Sequence, residues 1–397
     1  MAFMAAVDIP RTLLVTWWPA DIRYAGGAAI RRIVERLPAE RLAWASLRAG
    51  STDWRPPCRH RAFMPRPVHW RLQRTALAAY VEELQARRLA RAIAAWARDF
   101  DPQLVWVLPE LGASAVGRHV ASLLGRPVHV TVHDAHETAR RRVACGYYPW
   151  YAWQVKQALR SARSADAISE ELLAHLQRHR PGWRPEQAMV LPPSMPRELV
   201  QEVREPVAGG VAACRRIGFC GSMRNSPREW AEFLALLGRL PFAVEILAWA
   251  YEELFPRVTP PPNVQVRREP YAVSEAELLR TWRTRGVHAA YLGLWKDPAR
   301  RLFARTSLSA KLATYAAAAV PVIVDGPGDA AAWRLVARYD AGILCAGRTA
   351  GAELERLFTD AALWERLAQG ARRLALEAMN LERNVERFAD LLRRAAG

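Results

Sequence analysis

Only three lysines occur among the 57 basic residues of the chain: Lys156, Lys296 and Lys311. Lys311 stands at the front of an otherwise apolar stretch, Thr306 to Pro321 (TSLSAKLATYAAAAVP), which reads as a helix. A cation at a helix start opposes the helix dipole unless an anion lies nearby. A nucleotide diphosphate is such an anion, and Ser307 and Ser309 can cap the helix and offer hydroxyls to phosphate oxygens. A lysine that snorkels along an apolar face fits the same spacing. Its scarcity in this arginine-rich chain favours the anion-binding role.

Two glycine turns carry the same kind of signal. Gly221 and Ser222 end the apolar run RIGFC, and Arg224 follows within reach of a phosphate. An ordinary strand-to-helix loop with an exposed arginine fits equally well. Gly26 and Gly27 lie in the loop expected between the first strand and first helix, where a bare backbone and a helix start can receive a phosphate or sugar. A simple tight turn explains that pair too, and no G-x-G-x-x-G accompanies it. His133 and Asp134 follow the run VHVTV. At the carboxyl end of a strand, a histidine can donate to a sugar hydroxyl or exchange a proton, and an aspartate can accept from one. A histidine satisfied by its own loop is nearly as good a reading. His136 and Glu137 complete H-D-A-H-E, which lacks the H-E-x-x-H spacing of a helical zinc site, so no metal site is expected.

These residues need strands and helices in alternation to hold them, and the chain supplies them. In the first half Thr12 to Trp17, Leu42 to Leu47, Leu104 to Leu108, Val128 to Val132 and Asp166 to Ser169 read as strands. A helix runs through Leu37, and others over Ala113 to Leu124 and Glu170 to Arg178. Leu77 to Arg98 is helical, with Leu77, Val81, Leu84, Ala92 and Trp96 on one side. Five prolines between Pro181 and Pro196 mark a linker. A second series follows. Its strands are Arg216 to Cys220, Ala243 to Leu247, Val264 to Val266, Val287 to Leu292 and Val322 to Val324. Its helices are Trp230 to Leu240, Ser274 to Arg283 behind an S-x-x-E capping box, and Lys311 to Ala319. Helices close the chain from Ala352 to Arg394. The expectation is an α/β protein: two Rossmann-like domains facing a cleft, the GT-B architecture, with C-terminal helices.

Composition limits the alternatives. At 397 residues and 51% hydrophobic content the chain is globular and long enough for two domains. Leu312 to Val324 is interrupted by Thr314, Tyr315 and Pro321 and is too short to span a bilayer. No signal peptide of the usual length is expected before Asp8. Five cysteines without C-x-x-C spacing argue for a reducing compartment and against a disulfide framework. The net charge is +18, and between Arg55 and Arg98 ten arginines face two acids, Glu82 and Glu83. Phe63, Trp70, Tyr80 and Trp96 lie among them. An anionic membrane surface suits that stretch as well as a solvated arginine-rich face does. No helix-turn-helix, zinc-finger or RNA-binding signature accompanies the charge, so no nucleic-acid partner is expected.

From Thr306 to Pro321 the chain resembles retaining glycosyltransferases of family 4 and their near relatives, whose C-terminal domain shows a pattern like S-x-K-L-x-E-Y-x-A-A-G-x-P-V. Ser309, Lys311, Leu312, Tyr315, Ala317, Ala318, Pro321 and Val322 stand in matching positions. TLLVTWWP with Gly26–Gly27, the pair His133–Asp134, ADAISE, Met189 to Pro193 and IGFCGS resemble further family segments in the same order, across nearly the whole chain. Thr306 and Thr314 replace a pair of acids, the second of which binds the donor ribose in that family. Ala319 replaces the usual glycine, Pro193–Ser194 a frequent Asn-Gly, and Arg224 lacks a lysine partner.

The resemblance implies an N-terminal, acceptor-side domain over 1–190, a linker over 191–213, a nucleotide-sugar domain over 214–378, and a final helix over 379–397 packing back on the first domain. It implies a hexosyltransferase-like enzyme of polysaccharide biosynthesis, using a nucleotide-sugar donor and a glycan or lipid-linked acceptor. Retention of configuration and no cofactor or metal are expected. Lys311 and Arg224 would neutralise the leaving diphosphate. Ser222 and Ser309 would donate hydrogen bonds to it, and His133 would hold the donor sugar or polarise the acceptor side. Gly26, Gly27, Gly221, Thr314 and Tyr315 join the donor site by position. The expected location is cytoplasmic, peripheral on the inner face of the membrane. Two other functions remain open. One is a GT-B sugar-nucleotide epimerase, for which Glu110 and Asp134 are the carboxylates at hand. The other is a relative that binds a nucleotide sugar without catalysis.

Overall fold

The computed structural model describes residues 7–18, 25–49, 54–66, 72, 75–141, 147–178, 187–203, 215–221, 227–250, 258–270 and 274–397. The chain divides into two compact units, Met1–Pro192 with Glu382–Gly397, and Pro193–Leu381.

In the first unit the elements run β1 (Thr12–Thr16), α1 (Ala25–Val34), β2 (Leu42–Ser46), β3 (Arg59–Ala62), α2 (Ala76–Ala97), β4 (Leu104–Val107), α3 (Ala113–Leu124), β5 (Val128–Val132), α4 (Tyr148–Ser161), β6 (Ser164–Ala167), α5 (Glu170–Gln177) and β7 (Ala188–Val190). The strands form one seven-stranded sheet, ordered β3-β2-β1-β4-β5-β6-β7, with parallel pairing throughout. Strands such as TLLVT and LVWV are buried along their whole length, as a parallel sheet covered by helices on both faces requires.

The second unit begins with β8 (Arg215–Cys220), α6 (Pro227–Leu237), β9 (Val244–Trp249), β10 (Val264–Glu269), α7 (Glu275–Thr284) and β11 (Ala289–Gly293). It continues with α8 (Arg301–Thr306), α9 (Ala310–Ala317), β12 (Val322–Asp325), α10 (Ala331–Arg338), β13 (Gly342–Leu344), α11 (Ala350–Thr359) and α12 (Ala361–Glu377). Its six parallel strands are ordered β10-β9-β8-β11-β12-β13. Phe233 stacks on Tyr291 at 4.0 Å inside this unit, in a core that also holds Phe219 and Trp230. The last helix, α13 (Leu381–Ala396), belongs to the first unit in all but its first residue. There Phe388 packs on Trp106 at 4.8 Å and on His129 at 5.3 Å.

Each sheet has a topological switch point, between β1 and β4 in the first and between β8 and β11 in the second. Connections leave the two flanking strands in opposite directions there, opening a crevice at their carboxyl ends where doubly wound sheets bind ligands.

Several elements depart from the expected pattern. Gly26 and Gly27 lie in the first turn of α1, not in a loop before it. A first turn needs no intrahelical N–H partners, so glycine is tolerated there. On α2 the apolar side Leu77, Leu84 and Ala92 is exposed, while Ala78, Ala86, Ala90, Ile93, Ala94 and Ala97 are buried. Small residues let α2 lie close against its neighbour, and bulk is left outside. β3 (RHRA), an edge strand, carries charges that hide it from a search for apolar runs. Helix α4 carries Pro149 in its first turn, where it is tolerated although it reads as a breaker in sequence. Strand β6 starts two residues before the expected Asp166, because its buried residues include Ser164 and Asp166.

Candidate functional site

The second sheet's switch point is built around one glycine. Gly221, just past β8, has φ +88°, a conformation open to glycine. A Cβ there would lie 2.8 Å from the Lys311 Cε and 3.5 Å from its Nζ, so the lysine stem rests directly on the turn. Its ammonium sits 4.5 Å from the centroid of the buried Phe219 ring, a cation–π contact from within β8. Burial pulls the lysine pKa down to about 8, partly offset by Cys220. A cation so desolvated gains from any anion placed beside it.

Local sequence dictates this placement. AKLATYAA is rich in strong helix formers, and Ser309 caps α9 by accepting from the Lys311 backbone N–H at 3.4 Å. The Tyr315 hydroxyl accepts from the Cys220 N–H at 3.3 Å, tying α9 to the end of β8, and its ring stacks on Trp282 at 5.3 Å. Lys296 anchors the loop after β11 through its Nζ, 2.6 Å from Asp325 and 3.4 Å from Glu232.

The first sheet's open edge is different chemistry. His133 and Asp134 follow β5, and Glu110 follows β4. Glu110 is half-buried, and burial together with the nearby Asp134 charge pushes its pKa up to about 7. The next residue, Leu111, has φ 45°, a left-handed backbone that costs an L side chain energy. Tyr151 reaches the same edge, its hydroxyl donating to Pro109 O at 3.3 Å. Burial lowers the His133 pKa, with Asp166 and Asp134 opposing the shift, and its Nδ1 is buried without a hydrogen-bond partner among the described residues. Asp134 itself is exposed.

Of the expected site residues, the structure brings Gly221, Lys311 and Ser309 together at the second switch point, and His133 with Asp134 at the first sheet's edge. Gly26 and Gly27 stand at the start of α1, which follows β1. Thr314 and Tyr315 are buried, at 4% and 0% exposure, and Tyr315 lies beneath the turn as a support. Thr306, at the first of the two acid positions, is also buried and bonds back to Leu302 O at 2.7 Å. Ser222 and Arg224 lie outside the described residues, as do Trp70 and part of the arginine-rich stretch. Among the described residues no group of three or more His, Cys, Asp or Glu is placed to hold a metal ion. Sequence reasoning held Glu110 only as a competing reaction's carboxylate and passed over Asp166 and Trp17. Position at the end of LVWVL could have raised Glu110. Nothing in spacing alone marks Trp17, whose indole N–H is buried without a partner among the described residues.

No family model matches the sequence, and no curated protein matches it. Solved structures do. Anabaena HepE, solved with UDP and glucose, superposes with a TM-score of 0.66 at 14% identity, covering 95% of this chain and 98% of that one. Sucrose-phosphate synthase from Thermosynechococcus elongatus gives 0.67 at 12% identity, covering 96% and 98%. WaaG, a glycosyltransferase involved in lipopolysaccharide biosynthesis, gives 0.60 at 14%, covering 96% and 99%. Coverage of both units at this level shows the fold: the chain is a GT-B protein.

Proposed function

We propose that the chain is a glycosyltransferase that moves a sugar from a nucleotide-sugar donor to a glycan or lipid-linked acceptor, with retention of configuration and without a metal ion or other cofactor. One observation carries the reading: a desolvated ammonium, Lys311, held on the Gly221 turn at the switch point of the second sheet. A departing diphosphate gains one negative charge as the bond between the sugar and its phosphate oxygen breaks, and a fixed cation meets that charge without reorganisation. The positive end of the α9 dipole adds to the same field. Support also comes from the UDP in the HepE structure, a protein of the same fold. His133 and Asp134 are assigned to the sugar and acceptor hydroxyls, and Ser222 and Arg224 to the diphosphate, by resemblance. No covalent nucleophile is invoked.

Calorimetric titration with nucleoside diphosphates tests the donor site, and a nucleotide-sugar panel read by nucleotide release tests transfer, with and without EDTA. If wild type binds no nucleoside diphosphate, or Lys311→Ala binds it equally well, the reading falls. A second function, sugar-nucleotide epimerisation, draws on the Glu110–Asp134 pair, and product analysis with a nucleotide sugar alone separates the two. The missing acid at Thr314 favours a third, binding without catalysis, which the nucleotide-release panel separates from transfer.

The acceptor side is assigned to an anionic membrane surface at the cytoplasmic face. Leu77, Tyr80 and Leu84 project from α2 at 61%, 64% and 49% exposure, on i, i+3, i+7 spacing, with Arg87, Arg88 and Arg91 exposed on the following turns. No described helix is long and apolar enough to cross a membrane. Binding to vesicles containing anionic lipid is expected to fall when Leu77, Tyr80 and Leu84 are changed to glutamine. Unchanged binding after neutralising the arginines between Arg55 and Arg98 refutes the assignment.

A further inference from the structure

A polar track runs along one face of the first sheet. Side chains two residues apart on a strand share a face, so His129 and Thr131 lie on one face of β5, and His133 directly follows its last residue, Val132. Ser164 and Asp166 do the same on β6, in register with His129 and Thr131 respectively. Every group in the track but the last is tied down. His129 Nδ1 lies 2.7 Å from Ser164 Oγ and its Nε2 2.7 Å from Asp166 Oδ1. The Thr131 hydroxyl donates to Asp166 Oδ1 at 2.6 Å and accepts from the Trp106 indole N–H at 2.7 Å. His129 and Asp166 are 0% and 1% exposed, and Phe388 of α13 covers His129 and Trp106. His133 stands just past the end of β5, with an Nδ1 that is buried without a hydrogen-bond partner among the described residues.

We infer that Asp166 is a positioning residue for His133: its carboxylate, locked by His129 and Thr131 and sealed under α13, is a fixed buried charge on β6, the strand paired with β5, whose end carries His133 to the open edge. A carboxylate with no freedom to turn exerts a fixed field, and a dry sheet screens it little. The field opposes the effect of burial on the same ring, and Asp134, on the exposed side, adds to it. The charged and titratable groups around the track are Asp166 from β6, Asp134 from the loop after β5, His129 within β5 and, after β4 at the same edge, Glu110, whose own titration is coupled to Asp134. Phe388 and Trp106 contribute no charge. A ring kept protonatable at that edge can donate to a sugar hydroxyl or to an anionic substrate oxygen. The activity arm below rests on the proposed transfer function; the titration arm does not.

The test is an NMR titration of selectively labelled full-length protein. In wild type the Asp166 carboxyl carbon is expected to respond at the His133 midpoint, and its failure to respond there overturns the inference. In Asp166→Asn the His133 midpoint is expected to fall by about one unit, the effect of removing one nearby opposite charge. A merely structural role gives the opposite sign, because a loosened sheet hydrates the ring and raises its midpoint toward the ordinary value. A rise, or no change, overturns the inference. Should the single variant fail to fold, Asp166→Asn/His129→Gln keeps an amide donor facing an amide acceptor and is titrated with the same expectation. The His133 limb of the kcat/KM profile is expected to move in the same direction. If no transfer is found, the function fails on that assay alone while the titration still decides the coupling.

Discussion

Lys311 and Glu110 are tuned by the same cause, burial, in opposite chemical directions, and each carries a pH prediction. The Lys311 pKa is lowered to about 8 by burial. Unfolding restores the ordinary value, so the unfolded chain binds the extra proton between about 8 and 10.5, and this group's contribution to stability rises with pH across that window. A bound diphosphate reverses the balance by favouring the charged amine. Calorimetry in buffers of different ionisation enthalpy should therefore show proton uptake on nucleoside diphosphate binding near pH 8 and weaker binding above it. Lys311→Ala removes a charge-assisted contact worth about 1.5–3 kcal/mol, which is roughly ten- to hundredfold in affinity. Glu110 is the converse. Burial, then Asp134, raises its pKa to about 7, so its stabilising contribution is full below 4.5 and is lost as pH rises through 7. Glu110→Gln should gain stability relative to wild type at pH 8 and not at pH 4, read by denaturant midpoints. Lysine was legible in sequence because it is rare. Glu110 was legible as a carboxylate at hand but not as a perturbed one, since a raised carboxyl pKa is made by partners that only folding brings close.

Among the elements, α9 was the most legible and still holds a fault that its sequence marks. Ala319 has φ 51° at 2% exposure, just past the end of the helix. A left-handed backbone costs an L residue about 1–2 kcal/mol. Ala319→Gly should therefore stabilise the second unit by about 1 kcal/mol after the glycine's extra unfolded-state entropy is subtracted, raising its melting midpoint by roughly 2–4 °C. A lower midpoint would show that the alanine methyl contributes packing worth more than the backbone strain. The other elements were legible in proportion to how strongly they alternate apolar and polar residues. Buried parallel strands such as VHVTV announced themselves. β3 hid because an edge tolerates charge. The face of α2 was inverted because alanines, which barely register in an apolar count, make the close contact while leucines stay outside. The bulky residues left outside are the ones assigned to the membrane.

At the scale of the whole chain, the two sheets repeat one strand order, and α13 returns to complete the first unit. The repeat was readable from two series of short apolar runs separated by prolines, but the switch points were not, because strand order is set by crossovers that periodicity does not encode. The division into units makes a prediction about heat. Two units with separate cores need not melt together, so one melting temperature is not expected to describe the chain. Phe388→Ala strips the ring that covers Trp106 and His129 and should cost the first unit about 3–5 kcal/mol. Phe233→Ala removes the stack on Tyr291 and should cost the second unit a similar amount. Each substitution should lower a different calorimetric transition. A nucleoside diphosphate at a hundredfold excess over its Kd adds about 2.7 kcal/mol to whatever unit binds it. If Lys311 holds the diphosphate, the ligand must raise the transition that Phe233→Ala lowers and leave the Phe388 transition where it was. A shift confined to the Phe388 transition would place the nucleotide on the first sheet and remove Lys311 from the chemistry.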